Sequence, residues 1–278
     1  MLKTFKLLPL ALFLLPSLSW SQLTIISELP QEVEESSGLA YIQGQLFTHN
    51  DSGNHDILYG LDPDKGQITV KLFPKDIYNE DWEDLAISSD GTLYIADIGN
   101  NDFSRKTLKV YGLRLTDQQV ETSTVTTIRF PEEYCSKKGK IRFDIEALVH
   151  IEGKFYLFTK TYRNKFKDYT EVFEVNAVSG QQLAHYCGKI PLCGKEKNCK
   201  ITGAAFEHSS GQLALLSHKN LWLIEDFDPD RLDKISLRRY EFEDESQKEG
   251  VTFRDPNNIY ISEERNKGEQ RLFLLQIR

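Results

Sequence analysis

The sequence predicts an all-β protein with a single domain folded as a five-bladed β-propeller. Three observations support this prediction: a hairpin pattern that occurs five times, turn residues at the centre of each copy, and the absence of long helical periodicity. Repeated antiparallel sheets of short strands are typical of propellers, in which each blade buries its faces against its neighbours.

Each copy combines a short apolar strand, a tight turn and a second, alternating strand. Glycine supplies the turn, or Asn257-Asn258 in the last copy, as tight hairpins require. A further strand follows most copies, for example LKVYGLRL from Leu108. The five copies are SSGLAYIQGQLFTHND from Ser36, WEDLAISSDGTLYIADI from Trp82, IEALVHIEGKFYLFTK from Ile145, ITGAAFEHSSGQLALLSH from Ile201 and KEGVTFRDPNNIYISEE from Lys248.

The spacing of the copies sets the number of blades. The interval from the last copy, through the C-terminus to residue 22 and on to the first copy, is 45 residues, so five units account for residues 22–278. A sixth blade is the alternative, and it would have to lie between the second and third copies. Equivalent positions separated by 46, 63, 56 and 47 residues are Ser37, Glu83, Glu146, Thr202 and Glu249.

The chain begins with a segment that has the three parts of a secretory signal peptide. Two lysines precede an apolar core from Leu7 to Leu18, which is short for a bilayer span, and small residues follow. We expect cleavage after Ser21, a propeller domain over residues 22–278, and export to the periplasm or the extracellular space. The strand LTIIS (Leu23–Ser27) is expected to complete the last blade. No later segment is apolar enough for a membrane helix.

The net charge limits the classes of partner. The full chain has a formal net charge of −8, and removal of residues 1–21 takes away two lysines and no acids, which gives −10. An acidic surface repels phosphate backbones, so nucleic acids and anionic membranes are poor partners. Cations and neutral ligands suit this charge better.

Four cysteines in an exported chain predict two disulfides, with three possible pairings. Cys193 and Cys199 lie in the polar loop CGKEKNC, which a disulfide would close, and this would leave Cys135 to pair with Cys187. A metal site is the other interpretation, but the spacing of the last three cysteines fits no common zinc pattern.

Four carboxylates (Glu80, Asp81, Glu83 and Asp84) surround Trp82 in the segment NEDWEDLA, immediately before the second apolar strand. We expect Trp82 to pack between blades. The crowded acids next to it indicate a site in which like charges are brought together.

Polar residues are expected to gather at one mouth of the central channel. The first strand of a blade lines the channel and the second runs antiparallel to it, so the start of the first and the end of the second meet at the same rim. The strand starts carry Ser37, Glu83, Glu146, Thr202 and Glu249. The strand ends carry Asn50, Asp97, Thr159, Ser217 and Glu263, followed by Asp51, Ile98, Lys160, His218 and Glu264.

This convergence predicts a cation on the channel axis. Acids packed together have raised pKa values unless a cation or a lysine compensates them, and oxygen-rich sites suit calcium or magnesium, with calcium the more tolerant of irregular geometry. A subset of six residues is expected to hold the cation, which we expect to be calcium: Asn50, Glu83, Asp97, Glu146, Glu249 and Glu263. Four others are expected to contact a small ligand or a loop of a partner protein: Asp51, Lys160, His218 and Glu264.

Two other interpretations of the same ring stay open. Channel mouths are wet, so the polar residues would be a solvated structural ring in which Lys160 neutralises two of the acids without a metal. Alternatively, the ring is a catalytic cluster, since residues with perturbed pKa values gather at active sites.

The motifs SGLAY, DWEDLA, DIEALV and KEGVTF, with hairpins such as GTLYIADIGNN, resemble those of the exported SdiA-regulated propellers. More distantly, they resemble the phytase-associated esterase-like and strictosidine-synthase-like propellers. The resemblance covers the chain after residue 21 and implies five blades. Related enzymatic propellers hold an axial calcium ion with acids and amides, which implies Glu83, Asn50, Asp97, Glu146 and Glu249 here. The sequence departs from this pattern at Ser37 and Thr202, which replace acids, and at Lys160.

Three functions follow as hypotheses. The leading one is a secreted binding module whose acidic channel mouth holds a cation, a small ligand or a partner's loop. The second is a calcium-dependent hydrolase of an ester, lactone or phosphoester, in which His218 or a carboxylate transfers the proton. The third is a structural scaffold at the cell surface.

Overall fold

The computed structural model describes residues 23–115, 119–162, 168–192, 199–265 and 268–277, with only the backbone described at 161 and 162. Three short 3-10 helices lie at Gln31–Val33, Glu132–Tyr134 and Leu232–Lys234. The strands are β1 (Thr24–Glu28), β2 (Ser36–Ile42), β3 (Gln45–Asn50), β4 (Leu58–Leu61), β5 (Ile68–Leu72), β6 (Trp82–Ile87), β7 (Leu93–Asp97), β8 (Leu108–Leu115), β9 (Val120–Arg129), β10 (Phe143–Ile151), β11 (Lys154–Tyr162), β12 (Tyr169–Asn176), β13 (Gly180–Leu183), β14 (His185–Pro191), β15 (Gly203–Glu207), β16 (Gln212–Leu216), β17 (Asn220–Ile224), β18 (Arg238–Glu241), β19 (Lys248–Asp255), β20 (Asn258–Glu263) and β21 (Arg271–Gln276).

These strands form five sheets, which are the blades of a five-bladed β-propeller. From the channel outwards, blade 1 is β2-β3-β4-β5, blade 2 is β6-β7-β8-β9 and blade 3 is β10-β11-β12-β14. Blade 4 is β15-β16-β17-β18, and blade 5 is β19-β20-β21-β1. The predicted fold class is confirmed. The long interval between the second and third copies holds no sixth blade, because its strands β6 to β9 all belong to blade 2.

The two ends of the chain meet in blade 5. Strand β1 pairs antiparallel with β21, with Thr24 opposite Leu274 and Glu28 opposite Arg271. The N-terminal strand therefore closes the last blade, as the sequence predicted. A second connection between distant segments is β13, which leaves blade 3 and pairs parallel with β9 as a fifth strand of blade 2.

The core consists of five apolar clusters, one at each interface between neighbouring blades. Trp82 is fully buried between blades 1 and 2, as predicted, and its indole Nε1 donates to the backbone oxygen of Tyr78 at 3.1 Å. Burying a large apolar side chain contributes about 1.5–3 kcal/mol, so the interfaces between blades supply most of the stabilising burial.

The predicted disulfide between Cys135 and Cys187 is wrong, since both are free thiols. The reason lies in their positions: Cys135 packs against the cluster between blades 2 and 3, and Cys187 packs against the cluster between blades 3 and 4. The other predicted pair includes Cys193, which lies outside the described residues. No helix in the described part of the chain has the length and apolar character needed to cross a membrane.

The carboxylate of Asp84 joins three inner strands across the channel. Its Oδ2 accepts the backbone N–H of Leu148 on β10 at 3.0 Å and that of Ala204 on β15 at 3.1 Å. Its Oδ1 accepts the N–H of Leu85 at 2.8 Å. Burial raises the pKa of Asp84 well above its ordinary value. Next to this carboxylate the channel is an apolar cavity of only about 20 Å³, lined by residues such as Leu39 and Leu148.

We expect Asp84→Ala to destabilise the protein by about 2–4 kcal/mol, because two backbone N–H groups from other blades would be left buried without acceptors. Asp84→Asn keeps one acceptor and nearly the same volume, so it should cost clearly less. Urea denaturation of the two variants and the wild type measures both effects. Equal stability of the alanine variant and the wild type would show that Asp84 does not hold the blades together.

Candidate functional site

Irregular strand pairing places the glutamates at the channel mouth. The register with the second strand shifts between Trp82 and Asp84, between Ile145 and Ala147, and between Lys248 and Gly250. The residues skipped by these shifts are Glu83, Glu146 and Glu249. A β-bulge leaves one residue unpaired and redirects its side chain, so the same local device presents an acid from each of three blades.

At the two equivalent positions without acids, hydroxyl groups tie neighbouring blades together. Ser37 Oγ donates to the backbone oxygen of Glu83 at 2.8 Å, and Thr202 Oγ1 donates to that of Lys248 at 2.7 Å. These two residues therefore link neighbouring inner strands, while the other three blades supply acids at the equivalent positions.

Three carboxylates form a compact cluster, the acidic triad, made of Asp51, Asp81 and Glu83. One carboxylate oxygen of each lies within 4.8 Å of those of the other two. The Oε1 atom of Glu83 is buried and has no hydrogen-bond partner. Burial, followed by the neighbouring acids Asp51 and Asp144, raises the pKa of Asp81 to about 6. Burial and the nearby Glu146 raise the pKa of Glu83 well above its ordinary value.

Asn79 fixes the two loops that carry the triad. Its Nδ2 donates to the backbone oxygens of Asn50 at 3.0 Å and Asp51 at 2.9 Å, and its Oδ1 accepts the N–H of Trp82 at 3.0 Å. The loop that leaves blade 1 is therefore held against the loop that enters blade 2. Asp51 and Asp81 are thereby brought together from different blades.

The absence of a side chain at Gly99 provides the space in which the acids of the triad lie. A Cβ atom on Gly99 would lie 2.1 Å from Glu83 Oε1 and 2.4 Å from Asp81 Cγ, so any side chain would collide with both acids. The Gly99 N–H donates to the backbone oxygen of Asp81 at 3.1 Å. This glycine therefore sets how closely the backbone approaches the site.

Lys160 brings a positive charge to three glutamates of the mouth, Glu83, Glu146 and Glu249. Its Nζ donates to Glu146 Oε2, and its side chain is 19% exposed. Burial alone lowers the pKa of Lys160, but the charges of Glu146, Glu249 and Glu83 outweigh burial and hold it well above its ordinary value. Lys160 is thus a positive charge that contacts Glu146 and interacts electrostatically with glutamates of two other blades.

On the far side of the mouth, His218 and Glu249 form a pair. His218 Nε2 lies 2.9 Å from Glu249 Oε1, and the histidine side chain is 34% exposed. Next to them, Gln247 Nε2 donates to Glu264 Oε2 at 2.6 Å. Burial, with the charges of Glu249 and Asp51, raises the pKa of Glu264 to about 8.

The structure therefore brings most of the predicted residues together. Electrostatic contacts link Asp51, Glu83, Glu146, Lys160, Glu249 and Glu264 in one mouth, with His218 paired at its edge. Asn50 lies beside them and has a buried Oδ1 without a partner, while its Nδ2 donates to the backbone oxygen of Glu32 at 2.8 Å.

Two of the predicted metal ligands lie in ion pairs with arginines. Asp97 Oδ1 is 2.8 Å from Arg105 Nη1 and also accepts the N–H of Asp81 at 3.1 Å, so it supports the triad from outside. Glu263 pairs with Arg271 and accepts the hydroxyl of Ser246. Both carboxylates are fully buried.

Sequence reasoning did not select Asp81, Asn79 or Gly99 as site residues. Asp81 lies one residue before β6 and therefore falls outside the repeat by which the rim was assigned. The available signal was the crowding of acids in NEDWEDLA, of which Asp81 and Glu83 point into the site and Asp84 into the channel. Glu80 is 58% exposed and lies 3.4 Å from Arg105 Nη2.

The oxygen-rich lining of this site is suited to a hard cation. Carboxylate and amide oxygens are the ligands that calcium and magnesium take in proteins. The acidic triad supplies three such oxygens, and the unpartnered oxygens of Glu83 and Asn50 have capacity for a further contact. The triad is thus able to hold a metal ion.

Among solved structures, this chain resembles the PQQ-bound aldose sugar dehydrogenase of Streptomyces coelicolor, with a TM-score of 0.52 and 10% identity over 92% of this chain and 98% of that chain. It also resembles the allergen Mala s 1 of Malassezia sympodialis (TM-score 0.54, 8% identity, 87% and 93% covered). A glucose dehydrogenase gives a TM-score of 0.50 at 10% identity, with 90% and 99% covered. These likenesses support the propeller fold alone. No protein-family model and no curated protein matches the chain.

We expect the free energy of unfolding to fall as the pH rises from the ordinary pKa of Glu264, 4.5, to its raised value of about 8. The pKa of Glu264 is about 8 in the folded protein and its ordinary value is 4.5. Between these two pH values the folded protein keeps a proton that the unfolded chain has released. One such proton lowers the free energy of unfolding by up to about 1.4 kcal/mol per pH unit. Glu264→Gln should therefore reduce the slope of stability against pH.

Urea denaturation between pH 5 and 8.5, with chelator present, measures this slope. Glu121→Gln, on the exposed side of β9, is the matched control and should leave the slope unchanged. Identical slopes for the wild type and Glu264→Gln would contradict the assignment.

Proposed function

We propose that this protein is an exported binding module that holds a calcium ion in the acidic triad and binds a small ligand at the channel mouth. The observation that carries the proposal is Glu83 Oε1, a buried carboxylate oxygen without a hydrogen-bond partner, in a cluster of three acids from two blades. Three carboxylates held this close repel one another unless a cation or protons neutralise them.

The irregular origin of the ligands favours calcium over magnesium. Asp51 and Asp81 come from loops, whereas Glu83 comes from a bulge in β6, so the oxygens are not arranged by one regular element. Calcium accepts irregular geometry, while magnesium demands near-ideal octahedral geometry. Asn50, next to Asp51 in the chain, supplies an amide oxygen as a further neutral ligand.

The mouth's hydrogen-bonding capacity indicates the chemistry of the ligand. Three of its buried atoms without a partner are acceptors: Asn50 Oδ1, Glu83 Oε1 and Glu146 Oε1. A ligand that satisfies acceptors must bring donors, and ionised carboxylates accept only. Even with one divalent ion bound, the acids of the mouth outnumber its positive charges, so an anionic ligand is disfavoured. A neutral molecule rich in hydroxyl groups, or a partner loop with such side chains, fits the site.

The propeller's membership of the SdiA-regulated group and its export belong to the same proposal. The repeated motifs and the N-terminal segment support them, and an exported protein meets millimolar calcium in many extracellular environments, which suits a weak extracellular-type site.

Calcium should raise the melting temperature of the wild type. At a concentration a hundredfold above Kd, binding stabilises the folded state by about 2.7 kcal/mol, which corresponds to roughly 5–10 °C for a chain of this size. Asp81→Asn should abolish most of the shift, because it removes one carboxylate of the triad. Differential scanning calorimetry with calcium and with chelator provides the measurement.

Glu80→Gln is the matched control, since this acid is the neighbour of Asp81 but its side chain is largely exposed. It should keep the calcium-dependent shift. An unchanged melting temperature of the wild type in calcium, with no metal found by elemental analysis, would exclude the cation site.

A calcium-dependent hydrolase is the second candidate, favoured by the pair of His218 and Glu249 in the same mouth as the triad. A bound calcium ion would polarise the carbonyl or phosphoryl oxygen of an ester, lactone or phosphoester. His218, oriented by Glu249, is placed at the open edge of the mouth to accept a proton from an attacking water.

In this case His218→Asn should lower the turnover of an ester or lactone at least about a hundredfold, the usual contribution of a general base. The matched control His185→Asn, on the exposed outer strand β14 of blade 3, should retain full activity. Steady-state assays with calcium and with chelator test this. Absence of turnover on all three substrate classes would leave the binding module as the function.

A further inference from the structure

We infer that the ammonium group of Lys160 occupies the axial cation position of the mouth, so that a metal is confined to the acidic triad and removal of the ammonium opens a second cation position. This inference partly rests on the proposed function, because one of the two cation positions in the mouth is the proposed calcium site. The first place is the triad of Asp51, Asp81 and Glu83. The second is the ring of Glu83, Glu146 and Glu249.

The ring is built from three inner strands. Glu83 is the second residue of β6, Glu146 lies in β10 and Glu249 is the second residue of β19. These strands belong to blades 2, 3 and 5. All three acids are buried, with exposed fractions of 3%, 1% and 6%. Inner strands surround the channel axis, so acids that converge from these three blades meet on it.

Lys160 contacts Glu146 directly and lies close enough to the other two members of the ring to interact with their charges. It is hydrogen-bonded to Glu146 and interacts electrostatically with Glu249 and Glu83. A lysine ammonium is a compact point charge with three donors, which makes it comparable in size and sign to a metal ion. It therefore compensates the ring as an axial cation would.

The backbone beneath Lys160 is firmly held. Thr159 Oγ1 accepts the N–H of Glu171 at 2.9 Å, and the Thr159 backbone oxygen accepts the hydroxyl of Thr170 at 3.0 Å. These bonds anchor the end of β11 to β12. The ammonium is thus delivered to the ring from a fixed strand and not from a loose loop.

The ring has more acceptor capacity than one ammonium uses. Glu146 presents Oε2 to Lys160, while its Oε1 is buried without a partner, as is Glu83 Oε1. Three carboxylates and one ammonium leave a formal charge of −2. Without the ammonium, Glu83 and Glu146 would each present a buried oxygen without a partner, next to Glu249, which is paired with His218. Carboxylate oxygens of this kind are calcium ligands.

The consequence for function is that the axial charge is permanent. It cannot be removed by chelator and does not exchange with solvent ions. A metal in the triad would then lie off the axis, on the side of blades 1 and 2. A ligand in the mouth would meet a fixed ammonium at the centre and an exchangeable cation at the edge.

The test is the number of calcium ions bound per chain by purified protein, measured by isothermal titration calorimetry and by elemental analysis after dialysis. Lys160→Met should bind one more calcium ion than the wild type. Lys160→Arg retains the positive charge and should bind the same number as the wild type. Lys160→Met combined with Glu146→Gln should lose the additional ion.

The result separates this inference from the proposed function. If the wild type binds no calcium and Lys160→Met binds one ion, the triad proposal fails and the axial assignment stands. If the wild type and Lys160→Met bind equal numbers, the axial assignment is overturned whatever the triad does. Lys160→Gln gives the same comparison if the methionine variant does not fold, and a Lys160→Met protein that folds only in calcium would also support the assignment.

Discussion

The hydrogen bonds of the Asp84 carboxylate across the central channel are the interaction on which the rest of the structure depends. They join the inner strand of blade 2 to those of blades 3 and 4 at one point. A propeller has no single core, since each blade packs only on its two neighbours. A link through the axis therefore fixes the distances between blades that do not pack side by side. Asp84 follows Glu83 directly in β6, so the same strand carries this link and one acid of the mouth.

Above Asp84, the arrangement follows from the need to compensate charge. The fold buries several acids in one mouth, and two kinds of basic side chain compensate their charge. Arg105 and Arg271 neutralise Asp97 and Glu263 at the outer side. Lys160 neutralises the ring. The acidic triad has no ion-pair partner of this kind among the described residues. The more distant charges of Arg105 and Lys160 partly offset the raised pKa values of Asp81 and Glu83. This difference is the physical reason to regard the triad as the place for an exchangeable cation.

The position of the site also explains why sequence reasoning found most of it. The rim residues were assigned from the repeat, and that assignment depended only on the antiparallel order of the first two strands in each blade. Glu83, Glu146, Glu249 and Lys160 follow from this rule and do meet in the mouth. Asp81 did not, because it lies in a loop, and loops have no repeat from which a position can be inferred. The rule did not reveal the arginine partners of Asp97 and Glu263, because Arg105 and Arg271 lie outside the repeated hairpin.

The sequence by itself determined the all-β class, the number of blades, the closure of blade 5 by the N-terminal strand and the gathering of acids at one rim. These properties are local or periodic: alternation, turn residues and spacing are written along the chain. Only the tertiary structure decided which acids lie close enough to hold a cation, which are paired with arginine or lysine, and that Cys135 and Cys187 stay apart. Such choices depend on distances between residues remote in sequence, which differ by a few ångströms with each bulge, loop and neighbouring charge.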